Sequence, residues 1–263
     1  MPNRQKRFGM HKDLGSNWLL LRGLAREAGH WGDFLPLMRE VFPDARINTL
    51  DLPGTGLYHR ENSPALISAI MEWLRQQARE QGLLDQPLTI LALSMGGMVA
   101  WEWLIKHPAE IQGAVLVNSS FANLSAFHQR MRWQSYRQFL QILLEKDLYQ
   151  REQAILALVS NSPDRYAVLA ESWYQIQQQR PVSFKNFIRQ ITAAAQYKPS
   201  RQGPKQPVLL LNSQGDRLVS PSCTQRIAEN WQLEVKTHPW AGHDLSIDDG
   251  VWLGNQLKNW IVP

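Results

Sequence analysis

A single cysteine, Cys223, stands in a chain of 263 residues, which rules out an intrachain disulfide and any cysteine-based zinc cluster. No stretch approaches the roughly eighteen apolar residues that a membrane span needs. The polar, basic segment 1–13 (Asn3, Arg4, Lys6, Arg7, His11, Lys12) has no apolar stretch of the secretion-signal kind. That segment reads as a short, loose N-terminal tail, and the protein as cytoplasmic. Neither a phosphate-cradling glycine loop nor an HExxH metal pattern occurs, so no cofactor and no metal is expected. Lys and Arg outnumber Asp and Glu by 28 to 23, giving a net charge of +5 and a pI near 9.4. No basic run interleaved with stacking aromatics accompanies that charge, so nucleic acid is not an expected partner.

What is present is an alternation of strand-length apolar runs with helix-length amphipathic stretches, the pattern of crossover units on a mostly parallel α/β sheet. Strands are expected at 18–21, 46–50, 88–93, 113–118, 207–211 and 233–237, and helices near 31–41, 64–81, 95–107, 222–230 and 250–261. The rhythm stops between 119 and 206, where apolar residues recur at helical spacing (Phe139, Leu140, Leu143, Ile155, Phe187, Ile191) without a convincing strand. We read 14–118 with 207–263 as one core domain and 119–206 as a helical cap inserted into it. The insertion carries twelve Lys or Arg against five Asp or Glu, a balance of +7 that leaves the rest of the chain slightly acidic.

The chemistry starts at Ser94. The apolar strand Ile90-Leu91-Ala92-Leu93 runs into this serine, Gly96 and Gly97 follow, and an apolar helix begins, the outline of a nucleophile elbow. Such a turn demands small residues two before and two after the serine, because strand and helix crowd there. Gly96 meets the demand, while position −2 holds Ala92. A serine hydroxyl becomes a useful nucleophile when an imidazole takes its proton and a carboxylate orients that imidazole. On such a sheet the partners follow the serine in the order acid, histidine. Asp216 lies just past the strand at 207–211, whereas the alternative acid position after 113–118 offers Asn118, Ser119 and Ser120 but no carboxylate. Only His238 and His243 follow Asp216. His243, in the loop Trp240-Ala241-Gly242-His243-Asp244, is the expected base, with His238 as runner-up and Asp244 or Asp248 as replacement acids. Two backbone N–H groups are expected to face the oxyanion, those of Met95 and Leu24.

These residues resemble the α/β-hydrolase superfamily from about residue 18 to 261. Asp51-Leu52-Pro53-Gly54-Thr55-Gly56 looks like the family's loop after its second conserved strand, and Lys106-His107-Pro108-Ala109-Glu110 like its helix-ending segment. The position before Gly23 is often histidine in the family and is Arg22 here. Within the superfamily the chain looks most like small carboxylesterases of the pimeloyl-[acyl-carrier protein] methyl ester esterase type. The resemblance implies an α/β-hydrolase fold, a mostly parallel doubly wound sheet with a cap, and a Ser-His-Asp enzyme cleaving a small-molecule carboxylic ester through an acyl-enzyme. The serine at position 94 argues against the dehalogenase and epoxide hydrolase branches, which carry aspartate at the elbow. Thioesterases and acyl-carrier-protein ester hydrolases share the triad, and an inactive hydrolase-like binding protein is a further alternative. Phe121, Phe127, Met131 and Trp133 are the expected apolar lining from the cap. Its basic face, Arg130, Arg132 and Arg137 included, is the candidate surface for an acidic acyl carrier protein.

Overall fold

The computed structural model describes residues 14–261; the tail expected over 1–13 lies outside the described residues. Six strands form one sheet: β1 (Asn17–Leu21), β2 (Arg46–Thr49), β3 (Leu88–Leu93), β4 (Ile111–Val117), β5 (Val208–Ser213) and β6 (Glu234–His238). Their order is β2-β1-β3-β4-β5-β6, and every neighbouring pair is parallel. In chain order the helices are α1 (Phe34–Val41), α2 (Ile67–Glu80), α3 (Met95–Lys106), α4 (Phe127–Arg130), α5 (Tyr136–Leu144), α6 (Leu148–Val159), α7 (Tyr166–Gln179), α8 (Phe184–Gln196), α9 (Pro221–Trp231), α10 (Leu245–Asp248) and α11 (Gly250–Ile261). None is long and apolar enough to cross a membrane among the described residues.

A parallel sheet is covered on both faces, and the period-two alternation of side chains divides each strand between two cores. Leu19, Leu21, Ile90, Ala92 and Leu116 point to the side of α2, α3 and α9. Trp18, Leu20, Leu91, Leu93 and Val115 point to the side of α1 and α11. The chain leaves β1 for the edge strand β2, then returns past β1 to β3. Loops after β1 and β3 therefore diverge at one point on the carboxyl edge, where open α/β sheets form their binding crevice.

Where sequence and structure differ, local causes are visible. The helix expected over 31–41 is broken at Gly32, whose φ of 47° follows a single 3-10 turn at Ala28–Trp31. The loop after β2 is fixed by Asp51, which accepts the N–H groups of Ala28 at 2.7 Å and Leu57 at 2.9 Å. Gly56 lies so close to that carboxylate that a Cβ there would stand 1.9 Å from Asp51 Oδ2, and its φ is +52°. Only glycine suits both demands.

Helices α4 to α8 all fall between β4 and β5. Ile142, Leu156, Leu158, Ala170 and Trp173 from α5, α6 and α7 make a small core of their own. Helix α8 is stitched to the sheet instead. Ala193 joins the α2/α3 core. Gln190 accepts the Ala25 N–H at 2.9 Å and donates to the Pro53 carbonyl at 3.2 Å, while Asn186 accepts from Ser63 N–H and donates to the Glu61 carbonyl.

Candidate active site

Ser94 lies between β3 and α3 with φ 56° and ψ −117°, a backbone conformation that costs a non-glycine residue of the order of 1–3 kcal/mol. The surroundings hold it there. Its N–H donates to the Val117 carbonyl at 2.8 Å, and its carbonyl accepts from Gly97 N–H at 2.9 Å and from the Ser119 hydroxyl at 2.7 Å. A Cβ on Gly96 would stand 2.6 Å from the Arg22 carbonyl oxygen and 2.8 Å from that of Leu21. The Gly96 backbone thus packs directly on the end of β1. Ala92 at position −2 is fully buried between Leu21 and Leu116 of the flanking strands.

Asp216 and His243 meet across two loops. His243 Nδ1 lies 2.7 Å from Asp216 Oδ2, and both residues are buried. The other carboxylate oxygen accepts the N–H groups of Leu218 and Val219, each at 2.8 Å, which fixes the acid's orientation. Gly215 allows the approach: a Cβ there would stand 2.1 Å from the Trp240 carbonyl oxygen of the histidine loop. Asn118, at the end of β4 with φ 49°, donates to the His243 carbonyl at 2.8 Å and accepts the Ser213 N–H at 3.0 Å. The position that lacks a carboxylate thus carries a side chain that ties the histidine loop to β5.

The alternatives are engaged elsewhere. His238 Nε2 is 3.1 Å from Asp249, and its Nδ1 accepts the Ala241 N–H. Asp248 binds Ser160, Asn161, Ser162 and the Gly242 N–H, joining the histidine loop to the end of α6. Asp244 forms a buried ion pair with Arg22, which also donates to Ser246 at 3.2 Å and lies 4.7 Å from the centre of the Trp31 ring. Arg22, in the place where the family often has histidine, thereby clamps the loop after β1 to the residue next to His243.

Ser94, Met95, His243, Gly23 and Leu24 all open on one cavity of about 490 Å³. A Cβ on Gly23 would lie 3.1 Å from Ser94 Cβ, so the loop after β1 passes close to the serine, and the next residue, Leu24, lines the same cavity. Phe127 and Met131 line the cavity. Phe121 and Trp133 do not. Phe121 is fully buried beneath it, 5.2 Å from Trp101 and 5.5 Å from Tyr197 between ring centres. Trp133 is 64% exposed, because its neighbours turn inward: Arg132 donates to the Asp216 carbonyl at 2.6 Å and Ser135 to that of Arg217 at 2.5 Å. Further parts of the wall come from Tyr136, Phe139, Ile155, Leu158, Trp173 and Phe187, among others. Their only sequence signal was helical apolar periodicity, which does not distinguish a cavity wall from a packed interface.

The loop after β1 is tied by charge to α6 and to the residue that follows α7. Arg26 pairs with buried Glu152 of α6 at 2.6 Å and stacks 4.4 Å from the centre of the Trp173 ring. Arg180, after α7, grips buried Glu27 at 2.5 Å, and this contact raises its pKa. His30 sits among them, accepting from Arg26 at 3.0 Å and edge-on to Trp173. Burial first, then the charges of Arg26 and Arg22, push its pKa well below the ordinary 6.5. The unfolded chain therefore takes up this proton first. Stability should be full above pH 6.5 and fall below it, by at most about 1.4 kcal/mol per pH unit from this group. Urea unfolding of the parent and of His30→Gln between pH 7.5 and 5 checks this: the parent should lose more stability on acidification, and equal slopes would contradict it.

Comparison with known proteins identifies the fold family. Residues 19–250 match the family described as the alpha/beta hydrolase fold. The chain is 28% identical over 117 residues to a pimeloyl-[acyl-carrier protein] methyl ester esterase of Aeromonas hydrophila subsp. hydrophila, covering 44% of this chain but only 41% of that relative's length. A protein of the same name from Nitrosospira multiformis is 24% identical over 245 residues, 87% of this chain and 88% of the relative. Among solved structures, the esterase RhEst1 from Rhodococcus sp. ECU1013 superposes with a TM-score of 0.74 at 18% identity, covering 94% of this chain and 90% of that one. With the family matched across most of its length, the chain belongs to the α/β-hydrolase fold family.

Proposed function

We propose that this protein is a carboxylesterase that uses Ser94, His243 and Asp216 as a catalytic triad. The observation that carries the reading is the buried 2.7 Å contact between His243 Nδ1 and Asp216, on the same cavity as a serine held at positive φ. With the Asp216 carboxylate accepting from Nδ1–H, the lone pair of Nε2 is left to take the Ser94 proton. The Ser94 oxygen attacks the ester carbonyl, and the N–H groups of Met95 and Leu24 receive the oxyanion. The imidazolium returns its proton to the departing alcohol, leaving an acyl-serine. Water, activated by the same imidazole, then releases the acid. No metal or cofactor enters these steps.

Most of the cavity wall is apolar, as suits an acyl group. Each buried methylene is worth about 0.8 kcal/mol, so kcat/KM on p-nitrophenyl esters should rise by up to about fourfold per carbon from acetate until the cavity is full. A series extending to palmitate measures both activity and chain preference. Fastest turnover of acetate, with decline at every longer chain, would reject the apolar cavity as the acyl site. No hydrolysis of any ester would favour the inactive binding protein, and faster cleavage of matched thioesters would favour a thioesterase.

A carrier-bound ester is the second reading, favoured by the likeness to the methyl ester esterases above. Arg130 and Arg132 are less suited to docking a carrier than free surface arginines, since each binds backbone carbonyls of the protein itself. Exposed Arg137 and Lys185 flank the cavity-lining residues Tyr136 and Phe187, and charge reversal at these two is the appropriate test for an acidic carrier.

A further inference from the structure

Three arginines line the cavity beside Ser94: Arg22, Arg26 and Arg130. Two are neutralised inside the protein, Arg22 by Asp244 and Arg26 by Glu152. Arg130 is not. Among the described residues no carboxylate pairs with it; its partners are the Ala195 carbonyl at 2.6 Å, the Ala194 carbonyl at 2.5 Å and the Ser120 hydroxyl at 3.4 Å. The two carbonyls belong to the last turn of α8, whose dipole supplies only about half a negative charge. A guanidinium has five N–H donors, and these three bonds leave one on each terminal nitrogen. Burial pushes the Arg130 pKa down from its ordinary value, and the one opposing influence comes from the Cys223 thiol rather than from a carboxylate. A half-buried cation with spare donors in an apolar cavity is best satisfied by an anion brought by the ligand.

We propose that Arg130 is a specificity-determining residue that selects esters carrying a free carboxylate. Its location fits this role. Arg130 lines the same cavity as Ser94, and it contacts Ser120, the neighbour of Ser119, whose hydroxyl bonds the Ser94 carbonyl. Two N–H groups from one planar fork suit the two oxygens of a carboxylate. The apolar remainder of the cavity then accommodates the carbon chain.

This inference rests on the esterase reading for the bond to be cleaved, but its test does not need turnover. Calorimetric titration of Ser94→Ala with matched ligands gives the comparison: monomethyl succinate, adipate and suberate against methyl butyrate, hexanoate and octanoate. A third arm, the butyrate ester of glycolic acid, places the carboxylate on the alcohol side and tells which half of the ester bears it. A charge-assisted contact of this kind is expected to make the best carboxylate-bearing ester bind about 10–100-fold more tightly than its neutral counterpart. In Ser94→Ala with Arg130→Gln that preference should vanish, and with Arg130→Lys only part of it should remain, since the charge is kept but the planar fork is lost. Equal or tighter binding of every neutral ester by Ser94→Ala would overturn the inference without reference to any Arg130 variant. Survival of the preference in a folded Arg130→Gln protein would overturn it as well, leaving Arg130 as a cap on α8. Failure of the parent to hydrolyse any ester, with the binding preference intact, would reject the esterase reading and leave anion selection standing.

Discussion

Replacing Ser94 with alanine is expected to lower kcat by about 10⁴–10⁶-fold on any ester the parent cleaves, and His243→Ala by a similar factor, because the members of a triad act as one unit. Neither change should unfold the protein. The strain at Ser94 resides in its backbone, at φ 56°, and the contacts that hold it go to backbone atoms, so alanine inherits the same environment. Asp216→Asn should cost about 10⁴-fold, since the imidazole remains but loses its orienting charge. Its two backbone donors, Leu218 and Val219, can still bind the amide oxygen, which turns the NH₂ group toward His243 Nδ1 and favours the wrong tautomer. Single-turnover kinetics on purified variants, with circular dichroism to verify folding, measures all three. Parent-like activity in Ser94→Ala would remove the nucleophile from the account, and parent-like activity in Asp216→Asn would move the acid elsewhere.

The second large effect is expected at Arg22. Its side chain is 3% exposed and meets the Asp244 carboxylate, itself 3% exposed, inside the protein. Removing one partner of a buried pair leaves the other charge stranded, at a cost of about 3–5 kcal/mol. Arg22→Met should therefore destabilise the fold by about that amount in urea unfolding. Arg22→Met combined with Asp244→Leu should recover much of the loss, because the charge that made the single change costly is gone. A loss below about 1 kcal/mol in the single variant would mean that the pair is not maintained in solution. The pair also joins the loop after β1 to the residue beside His243. The double variant, once stable, should for that reason retain a kcat deficit that a purely structural pair would not leave.

The resemblances and differences between sequence and structure have physical causes. Strands such as Leu88–Leu93 and Val208–Ser213 are buried along their whole length, which writes the apolar runs Ile90–Leu93 and Val208–Leu211 into the sequence. Ser94, Asp216 and His243 were legible as candidates because each follows a strand's carboxyl end with a glycine within two residues, at Gly96, Gly215 and Gly242. The cavity wall was less legible. Phe121 and Phe127 lie six residues apart, yet one packs under the sheet's crossover helix and the other borders the cavity. That difference arises from where the fold carries each residue, not from residue type. The Arg22–Asp244 pair spans 222 positions, and no local pattern announces a contact of that range. Arg130 and Arg132 read as surface charge for the same reason: the carbonyls they bind, at Ala194, Ala195 and Asp216, are backbone atoms with no signature in sequence.

The account turns on Ser94 being an activated nucleophile, and labelling with a fluorophosphonate followed by peptide mapping tests that most directly, since only an activated serine reacts at a useful rate. One equivalent of label on Ser94, abolished in His243→Ala, is the predicted result. Label on another serine, or an unlabelled Ser94 in a preparation that hydrolyses esters, would contradict it.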